Sequence, residues 1–304
     1  MENEQNLDIY INSFSGISSV SENDISSVED IIFNNGPEEP PYEELIDVRS
    51  MRRLSKMLRM GIFTALKTLG KQENIKPDGI IVGTGLGCTA DTYNFLMNMI
   101  QRSEHLLTPT SFIQSTHNTL AGTLGIMLKN HGYNMTWSQR YMSFYQAFED
   151  GYNRIKNKLG SNYLITGADE MPESVQSILS SMDECRGEKQ WTEGAASFLI
   201  SNNKENQGIR VVSIENIETD NVKEVLTEYS SNKDHLVINA NKHIKNIVSK
   251  NHIDFLGGNG RCFINDALSL DLACRLAENK NITDFNTITC VGGDSFRTTL
   301  ITIS

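Results

Sequence analysis

Hydrophobic and polar positions follow two alternating periods along the first 187 residues, and these periods predict strands separated by helices. The predicted strands are short apolar runs rich in β-formers, at 8–14, 78–83, 135–137 and 163–167. Helical spacing of apolar residues predicts helices at 42–69, 89–102, 115–129 and 144–155. Residues 17–41 are rich in Ser, Asn, Glu and Pro, which predicts a long surface excursion.

The remainder of the chain repeats this alternation with a larger share of strand. Strands are predicted at 195–201, 209–217, 235–239, 287–291 and 297–303. Helices are predicted at 221–229, 241–249 and 263–279. The alternation is typical of an α/β protein with a largely parallel sheet. A charged, polar run near 185–192 predicts a boundary, so we divide the chain into halves at 1–187 and 188–304.

The predicted helix at 115–129 carries small and apolar residues around most of its circumference. A helix that is apolar all round is normally buried inside a large protein. We therefore expect this helix to lie in the interior, or to leave an apolar face exposed when a partner is missing.

Composition limits the possible functions of the 304-residue chain. A net charge of −11 argues against a nucleic-acid-binding surface, which needs a basic stripe. No apolar run approaches the roughly 20 residues that a membrane span requires, and the acidic, polar start does not resemble a signal peptide. The five cysteines form no CxxC pair. We expect a cytoplasmic protein with no metal site and no cofactor.

A glycine-rich turn, Gly83-Thr-Gly85-Leu-Gly87-Cys88, lies between a predicted strand and a predicted helix. Cys88 stands where a dinucleotide motif would need its third glycine, so a tight strand-to-helix turn is the favoured interpretation. Two further features are ambiguous in the same way. His117 could act as a base, and the adjacent Asp169 and Glu170 could do acid–base chemistry, but structural roles are favoured for all three.

Five basic residues are spaced three or four apart in the predicted helix 42–69 and would share one face. They are Arg49, Arg52, Arg53, Lys56 and Arg59. Such a face in an acidic chain could dock an acidic partner. The alternative is a solvated face paired with nearby acids.

Three segments together resemble the thiolase-fold β-ketoacyl synthases. They are 108–132 (TPTSFIQSTHNTLAGTLGIMLKNHG), 161–170 (SNYLITGADE) and 193–200 (EGAASFLI). Their order and spacing also agree with that family, and the resemblance covers about 75–290. It implies a layered α-β-α-β-α fold made of two similar halves, with 193–200 as the strand that opens the second half.

The family's condensation uses a cysteine thiolate, which carries the acyl chain as a thioester, and two histidines. Carried over by resemblance, the nucleophile position falls at or beside Tyr141, and the histidine positions fall at Asn241 and Gly258. All three catalytic positions are then replaced. His243 and His252 lie close to the two histidine positions in sequence, so a shifted alignment could restore one histidine but not the cysteine.

This pattern resembles the chain-length-factor branch of the family, in type II polyketide or aryl-polyene and flexirubin-type pigment pathways. The resemblance implies a non-catalytic subunit, paired with an active ketosynthase, that shapes the acyl tunnel and serves an acyl carrier protein. The implied carrier site is the basic face. The residues expected at the tunnel and partner interface are Phe112, Gln114, Thr116, His117 and Met135.

Two other functions remain open at this point. In one, the chain is an acyltransferase that uses Cys88, whose thiol pKa the N-terminal dipole of the following helix would lower. In the other, the chain is an acyl-binding scaffold that forms a homodimer.

Overall fold

Ten strands are present in the computed structural model, which describes residues 7–21, 28, 31–71, 75–101, 109–182, 191–205, 207–232, 234–244, 251–278 and 285–304. The strands are β1 (Ile9–Ile17), β2 (Gly79–Gly83), β3 (Tyr133–Trp137), β4 (Asn162–Asp169), β5 (Gly194–Ser201), β6 (Ile209–Glu218), β7 (His235–Asn239), β8 (His252–Asp254), β9 (Thr287–Gly293) and β10 (Arg297–Ile303). The sequence pattern predicts nine of these strands. It misses only the three-residue β8.

The helices lie between these strands, as the alternating pattern predicts. They are α1 (Val48–Met51), α2 (Lys56–Gly70), α3 (Thr89–Gln101), α4 (Pro109–Gln114), α5 (Thr119–Met127), α6 (Ser143–Lys156), α7 (Glu173–Ser181), α8 (Val222–Ser231), α9 (Phe255–Asn259) and α10 (Asn265–Glu278). Within the described residues, no helix combines the length and the apolar character needed to cross a bilayer.

All ten strands form one sheet, in the order β3-β2-β4-β5-β1-β6-β10-β9-β7-β8. The order is a repeat: β1 to β5 on one side correspond to β6 to β10 on the other. The pairing directions repeat as well, since β2 is parallel to β3 and β4 just as β7 is parallel to β8 and β9. Two similar halves are thus confirmed. The sheet is mixed, however, because β5 is antiparallel to both of its neighbours, β1 and β4, and β10 is antiparallel to both of its neighbours, β6 and β9. The expectation of a largely parallel sheet is therefore wrong.

The two halves of the sheet enclose a central helical layer and carry further helices outside. Alternating side chains show this arrangement: Ile81 of β2 joins the central core, whereas Ile80 and Val82 join the outer core beneath α2 and α5. In the second half, Val237 of β7 packs in the core beneath α8. Since α6 and α10 supply the central layer, the α-β-α-β-α arrangement is confirmed.

The first strand repeat, β1 to β5, ends later in the chain than the boundary predicted from the charged run. β5, which we expected to open the second half, pairs with β4 and β1 of the first half. By strand order, the change falls between Ser201 and Ile209. Residues 183–190, with Cys185, lie outside the described residues, and the division of the chain into domains at 187/188 stays a prediction.

Two of the long predicted helices are interrupted. The segment 42–69 contains a 3₁₀ turn, Tyr42–Glu44, followed by α1 and α2. Each α-helix has its own N-cap: Asp47 accepts a hydrogen bond from the Ser50 N–H (3.0 Å), and Ser55 accepts one from the Leu58 N–H (3.4 Å). The five basic residues therefore do not share one helix face, and that prediction is wrong.

In the segment 115–129, residues 115–118 form a turn after α4, and α5 begins only at Thr119. In α5, Leu120, Ala121 and Leu124 are buried, but Ile126 is 81% exposed. The expectation that this helix is buried on all sides is wrong for the single chain. Instead, α5 leaves an apolar face exposed, as expected for a chain without its partner. The predicted helix 241–249 is a non-helical turn over 241–244, and 245–250 lie outside the described residues.

The central layer should dominate the stability of the chain. Phe198 of β5 is fully buried and packs against Phe144 and Phe148 of α6, with ring centroids 5.5 and 6.5 Å away. We predict that Phe198→Ala lowers the free energy of unfolding by about 3–5 kcal/mol, because it leaves a cavity. Phe296→Ala, at an 80% exposed position, is the matched control and should change it by less than about 0.5 kcal/mol. Equal effects in urea titrations would contradict the proposed core.

Candidate functional site

The two central helices bring their N-terminal ends to one place, where an aromatic cluster surrounds a buried arginine. Tyr141 lies in the 3₁₀ turn just before α6, and Arg261 lies just before α10. The Arg261 Nη2 donates a hydrogen bond to the Tyr141 hydroxyl (3.0 Å). Its guanidinium carbon lies 4.5 Å from the Trp191 ring centroid. Phe263 packs against Tyr141 and Trp191, with centroid distances of 4.7 and 5.2 Å. We call Tyr141, Trp191, Arg261 and Phe263 the Tyr141 cluster.

A narrow cleft opens beside this cluster. Besides Tyr141 and Arg261, its lining residues are Ala240, Lys242, His243, Leu256 and Gly293. The cleft therefore unites the predicted nucleophile position with the segment after β7. The resemblance placed these two regions in one site, and the structure brings them together.

Gly258 does not line this cleft. It packs against the Phe33 ring so closely that a Cβ would collide with it. From this segment of the chain, Arg261 reaches Tyr141 instead. Sequence reasoning missed Arg261, although the pair Gly260-Arg261 immediately before a buried helix was the available signal. Gly260 adopts φ 87°, which favours glycine and turns the chain into α10.

Asn241 has a structural role at the ends of the strands. Its buried side-chain amide donates to the Gly292 carbonyl (2.8 Å), and its Oδ1 accepts from the His243 N–H (2.9 Å). His243 is exposed and lines the cleft. His252, on the edge strand β8, does not line it, and burial lowers the pKa of its imidazole.

The cysteines that the structure describes are all buried: Cys88, Cys262, Cys274 and Cys290. Burial raises the pKa of each thiol, and that of Cys88 rises to about 12. The Cys88 sulfur lies 3.7 Å from the Met57 sulfur. The expectation that a helix dipole lowers the pKa of Cys88 is wrong, because loss of solvation outweighs it.

Asp169 and Glu170 hold backbone groups, which agrees with the structural role favoured from the sequence. Asp169 accepts hydrogen bonds from the Gly85 N–H (2.9 Å) and the Thr84 hydroxyl (2.7 Å), so it fixes the glycine-rich turn. Glu170 accepts from the N–H groups of Met57 (3.1 Å) and Ala90 (2.8 Å), near the starts of α2 and α3. Burial raises the pKa of Asp169 to about 6, against the effect of its donors.

The residues expected at the tunnel and partner interface lie in two neighbouring places. Four are in the segment that leads into α5: Phe112 (58% exposed), Gln114, Thr116 and His117, of which His117 packs against Gly87. Met135 is on β3, which packs beside α5 through the Asn134 amide and the Ala121 carbonyl (2.8 Å). Their roles stay predictions.

The same region exposes many large apolar side chains. They lie on α3, α4, α5 and β3, and comprise Tyr93, Leu96, Ile100, Phe112, Ile113, Ile126, Met127 and Met135. We call them the α3–β3 apolar surface. Contiguous apolar surfaces of this kind usually mark contacts with other molecules.

The five basic residues divide into two groups. Lys56 pairs with Glu39 (2.9 Å) and Glu193 (2.6 Å), and Arg59 lies over the Tyr42 ring at 5.6 Å. Arg49, Arg52 and Arg53 are exposed. The Arg53 carbonyl also accepts a hydrogen bond from the Gln114 amide (2.6 Å), which places these arginines beside the α3–β3 apolar surface.

Among the described residues, no group of three or more His, Cys, Asp or Glu side chains is arranged to hold a metal ion. The polar side chains that line the cleft are those of Tyr141, Lys242, His243 and Arg261.

Comparisons with known proteins agree with this geometry. The family model described as beta-ketoacyl synthase, N-terminal domain, matches residues 27–251. No curated protein matches the chain.

Three solved structures share the fold at low sequence identity. The first is AntDE:AntF, a type II PKS acyl-carrier protein in complex with its ketosynthase (TM-score 0.78, 13% identity, 98% of this chain and 99% of that chain). The second is the ishigamide ketosynthase/chain length factor (TM-score 0.72, 11% identity, coverage 97% and 99%). The third is the ketosynthase ApeO with its chain length factor ApeC from Xenorhabdus doucetiae (TM-score 0.61, 15% identity, coverage 97% and 99%).

The burial of Cys88 predicts that its thiol is unreactive in the native chain. Because the thiolate is the reactive form and burial suppresses it, native protein at pH 8 should leave Cys88 unmodified by iodoacetamide. The same protein unfolded in 8 M urea should be alkylated at Cys88. Peptide mass spectrometry measures both. Rapid alkylation of Cys88 in the native chain would restore it as a candidate nucleophile.

Proposed function

Because the chain belongs to the β-ketoacyl synthase family, we propose that it is a non-catalytic subunit resembling the chain length factors. In this proposal it pairs with an active ketosynthase and forms part of the wall of the tunnel that receives the growing acyl chain. The observation that carries the proposal is Tyr141, which stands at the start of α6 with its hydroxyl bound by Arg261.

The chemistry of condensation explains why this observation matters. The acyl group must be held as a thioester, and a thiolate is needed to attack and to leave readily. A tyrosine hydroxyl carries no sulfur, so it cannot hold the acyl group as a thioester. The space beside the Tyr141 hydroxyl is filled by Phe263 and by Arg261, which is only 3% exposed.

The α3–β3 apolar surface supports the proposed ketosynthase partner. It lies at the β3 edge of the sheet, and an edge strand carries backbone groups able to pair with another chain. Ile126 at 81% and Ile100 at 70% exposure are costly to leave in water on a single chain. Two of the similar structures are ketosynthases with their chain length factors.

The edge strand itself is held rigidly for such a contact. Asp150 of α6 accepts hydrogen bonds from the Tyr133 hydroxyl (2.9 Å) and the Trp137 indole (3.1 Å), at the two ends of β3. Arg154 lies 3.5 Å from the Tyr133 ring centroid. A preorganised edge loses less conformational entropy on binding.

We place the proposed tunnel wall on the segment before α5, at Phe112, Gln114, Thr116 and His117, with Met135 beside it. The proposed carrier-protein contact falls on Arg49, Arg52 and Arg53. We do not include Lys56 and Arg59 in the proposed contact, because Lys56 pairs with two glutamates and Arg59 lies over the Tyr42 ring. Exposed arginines favour an acidic partner because complementary charges steer association.

The apolar surface predicts the effect of a charge in the proposed interface. Ile126→Glu should abolish co-purification with a co-expressed ketosynthase, with at least about a tenfold loss of affinity, because a buried charge has no partner there. The free energy of unfolding of the single chain should change little. Val212→Glu is the matched control: it is 42% exposed on β6, which four strands separate from β3. Undiminished pairing of Ile126→Glu would reject this interface, and pairing only with a second copy would favour a homodimer.

The tunnel assignment makes a separate prediction. In the reconstituted pair, Phe112→Ala should shift the products to longer chains, because a bulky ring that stops elongation is removed. Ile32→Ala, at another exposed apolar position (56%), should leave the products unchanged. Mass spectrometry of the released chains measures the distribution. An unaltered distribution with the pair intact would remove Phe112 from the tunnel wall.

A further inference from the structure

A second cavity adjoins the glycine-rich segment 257–260. It has a volume of about 160 Å³ and is walled by residues 34–36, by Trp191 and Thr192, and by 257–260 itself. The residues on either side of this glycine-rich segment line the cleft instead. The two cavities are therefore neighbours, but no described residue lines both of them. We call the second cavity the Thr192 pocket.

The described side chains that line the Thr192 pocket are all uncharged. Its polar side chains are the carboxamides of Asn34, Asn35 and Asn259 and the hydroxyl of Thr192. An ionised ligand would lose its hydration here without meeting an opposite charge, and that loss is costly. The lining therefore favours an uncharged ligand.

The hydroxyl of Thr192 places a polar group at the inner end of the pocket. Thr192 is 8% exposed, and its Oγ1 is buried without a hydrogen-bond partner among the described residues. The backbone at this point is satisfied, because the Thr192 N–H donates to the Arg261 carbonyl (2.8 Å). A buried hydroxyl without a partner costs free energy. The side chain therefore points to an occupant that can donate or accept a hydrogen bond.

The carboxamides divide between the wall and the mouth of the pocket. Asn259 is buried, and its carboxamide accepts from the Ser19 N–H and donates to the Asn265 side chain, at 3.0 Å each. It is therefore part of the wall. Asn35 is exposed and lies at the mouth. The pocket thus offers polar groups at two depths, with Thr192 inside and Asn35 outside.

Trp191 links the pocket to the Tyr141 cluster. The Arg261 guanidinium carbon lies 4.5 Å from the centroid of its ring, and the Phe263 ring centroid lies 5.2 Å away. A ligand in the Thr192 pocket would therefore contact the same indole that covers the buried arginine. This contact gives the ligand an apolar surface between its polar ends.

We propose that the Thr192 pocket binds a small uncharged polyol. A cavity of about 150 Å³ accommodates a molecule the size of benzene, so the ligand should have roughly six to ten non-hydrogen atoms. A polyol carries hydroxyls at both ends of a short carbon chain and can reach Thr192 and Asn35 together, whereas a simple amide has a single polar group. This inference goes beyond the proposed function and does not depend on it, because the pocket lies within the single chain.

Fluorine NMR of the full chain labelled with fluorotryptophan tests the proposal, since the chain has only two tryptophans. Trp137→Phe assigns the Trp191 resonance. Erythritol should shift this resonance saturably and leave that of Trp137 in place, with a Kd on the order of 10 mM, because so small a ligand makes few contacts. Threonate, which adds a charge, and butyramide, which has one polar group, should bind at least about tenfold more weakly.

Thr192→Val removes the hydroxyl and should weaken erythritol binding about tenfold. The free energy of unfolding should not fall, because this hydroxyl has no partner among the described residues. Thr136→Val is the matched control: it removes a similar unpartnered hydroxyl on β3, away from the pocket, and should bind as the wild type does. Asn35→Ala, at an exposed position that does not endanger folding, should weaken binding roughly fivefold.

Four results would overturn the proposal. They are a Trp191 resonance that does not shift saturably with erythritol, equal binding of threonate or butyramide, undiminished binding in both Thr192→Val and Asn35→Ala, and a loss in Thr136→Val as large as that in Thr192→Val.

Discussion

The enclosure of α6 and α10 between the two halves of one sheet is the constraint on which the rest of this structure depends. Two helices buried side by side must satisfy their first-turn groups inside the protein, so their N-terminal ends form a polar site within an apolar core. Whatever residues stand at those two starts determine the chemistry of the cleft. In this chain they are Tyr141 and Arg261, joined by a hydrogen bond of 3.0 Å.

Tyr141 and Arg261 belong to a tightly packed cluster. Trp191 and Phe263 enclose the guanidinium and the phenol, which compensates part of the cost of burying a charge. The remaining acids near this layer also serve the fold: Asp169 holds the Gly83–Cys88 turn, and Glu170 caps the starts of two helices. On the surface, the apolar side chains of α3, α4, α5 and β3 adjoin exposed arginines.

Most strands were predictable because they are short runs rich in apolar β-formers, but three local features were not. The caps at Asp47 and Ser55 interrupt a continuous apolar period, so 42–69 looked like a single helix. The sequence favours Gly258 as the residue opposite Tyr141, because Gly257-Gly258 directly follows a short strand, whereas nothing in the sequence shows that Arg261 is buried and reaches Tyr141. An apolar helix such as α5 also carries no signal that says whether its own chain or a partner covers it.

The central claim is that no acyl group is ever tethered to this chain. The most direct test is intact-protein mass spectrometry of the pair formed with its ketosynthase, after incubation with an acyl-loaded carrier protein. The account predicts an added acyl mass on the ketosynthase and an unmodified mass for this chain. A stable acyl adduct on this chain, whether at Tyr141 or at any cysteine, would contradict it.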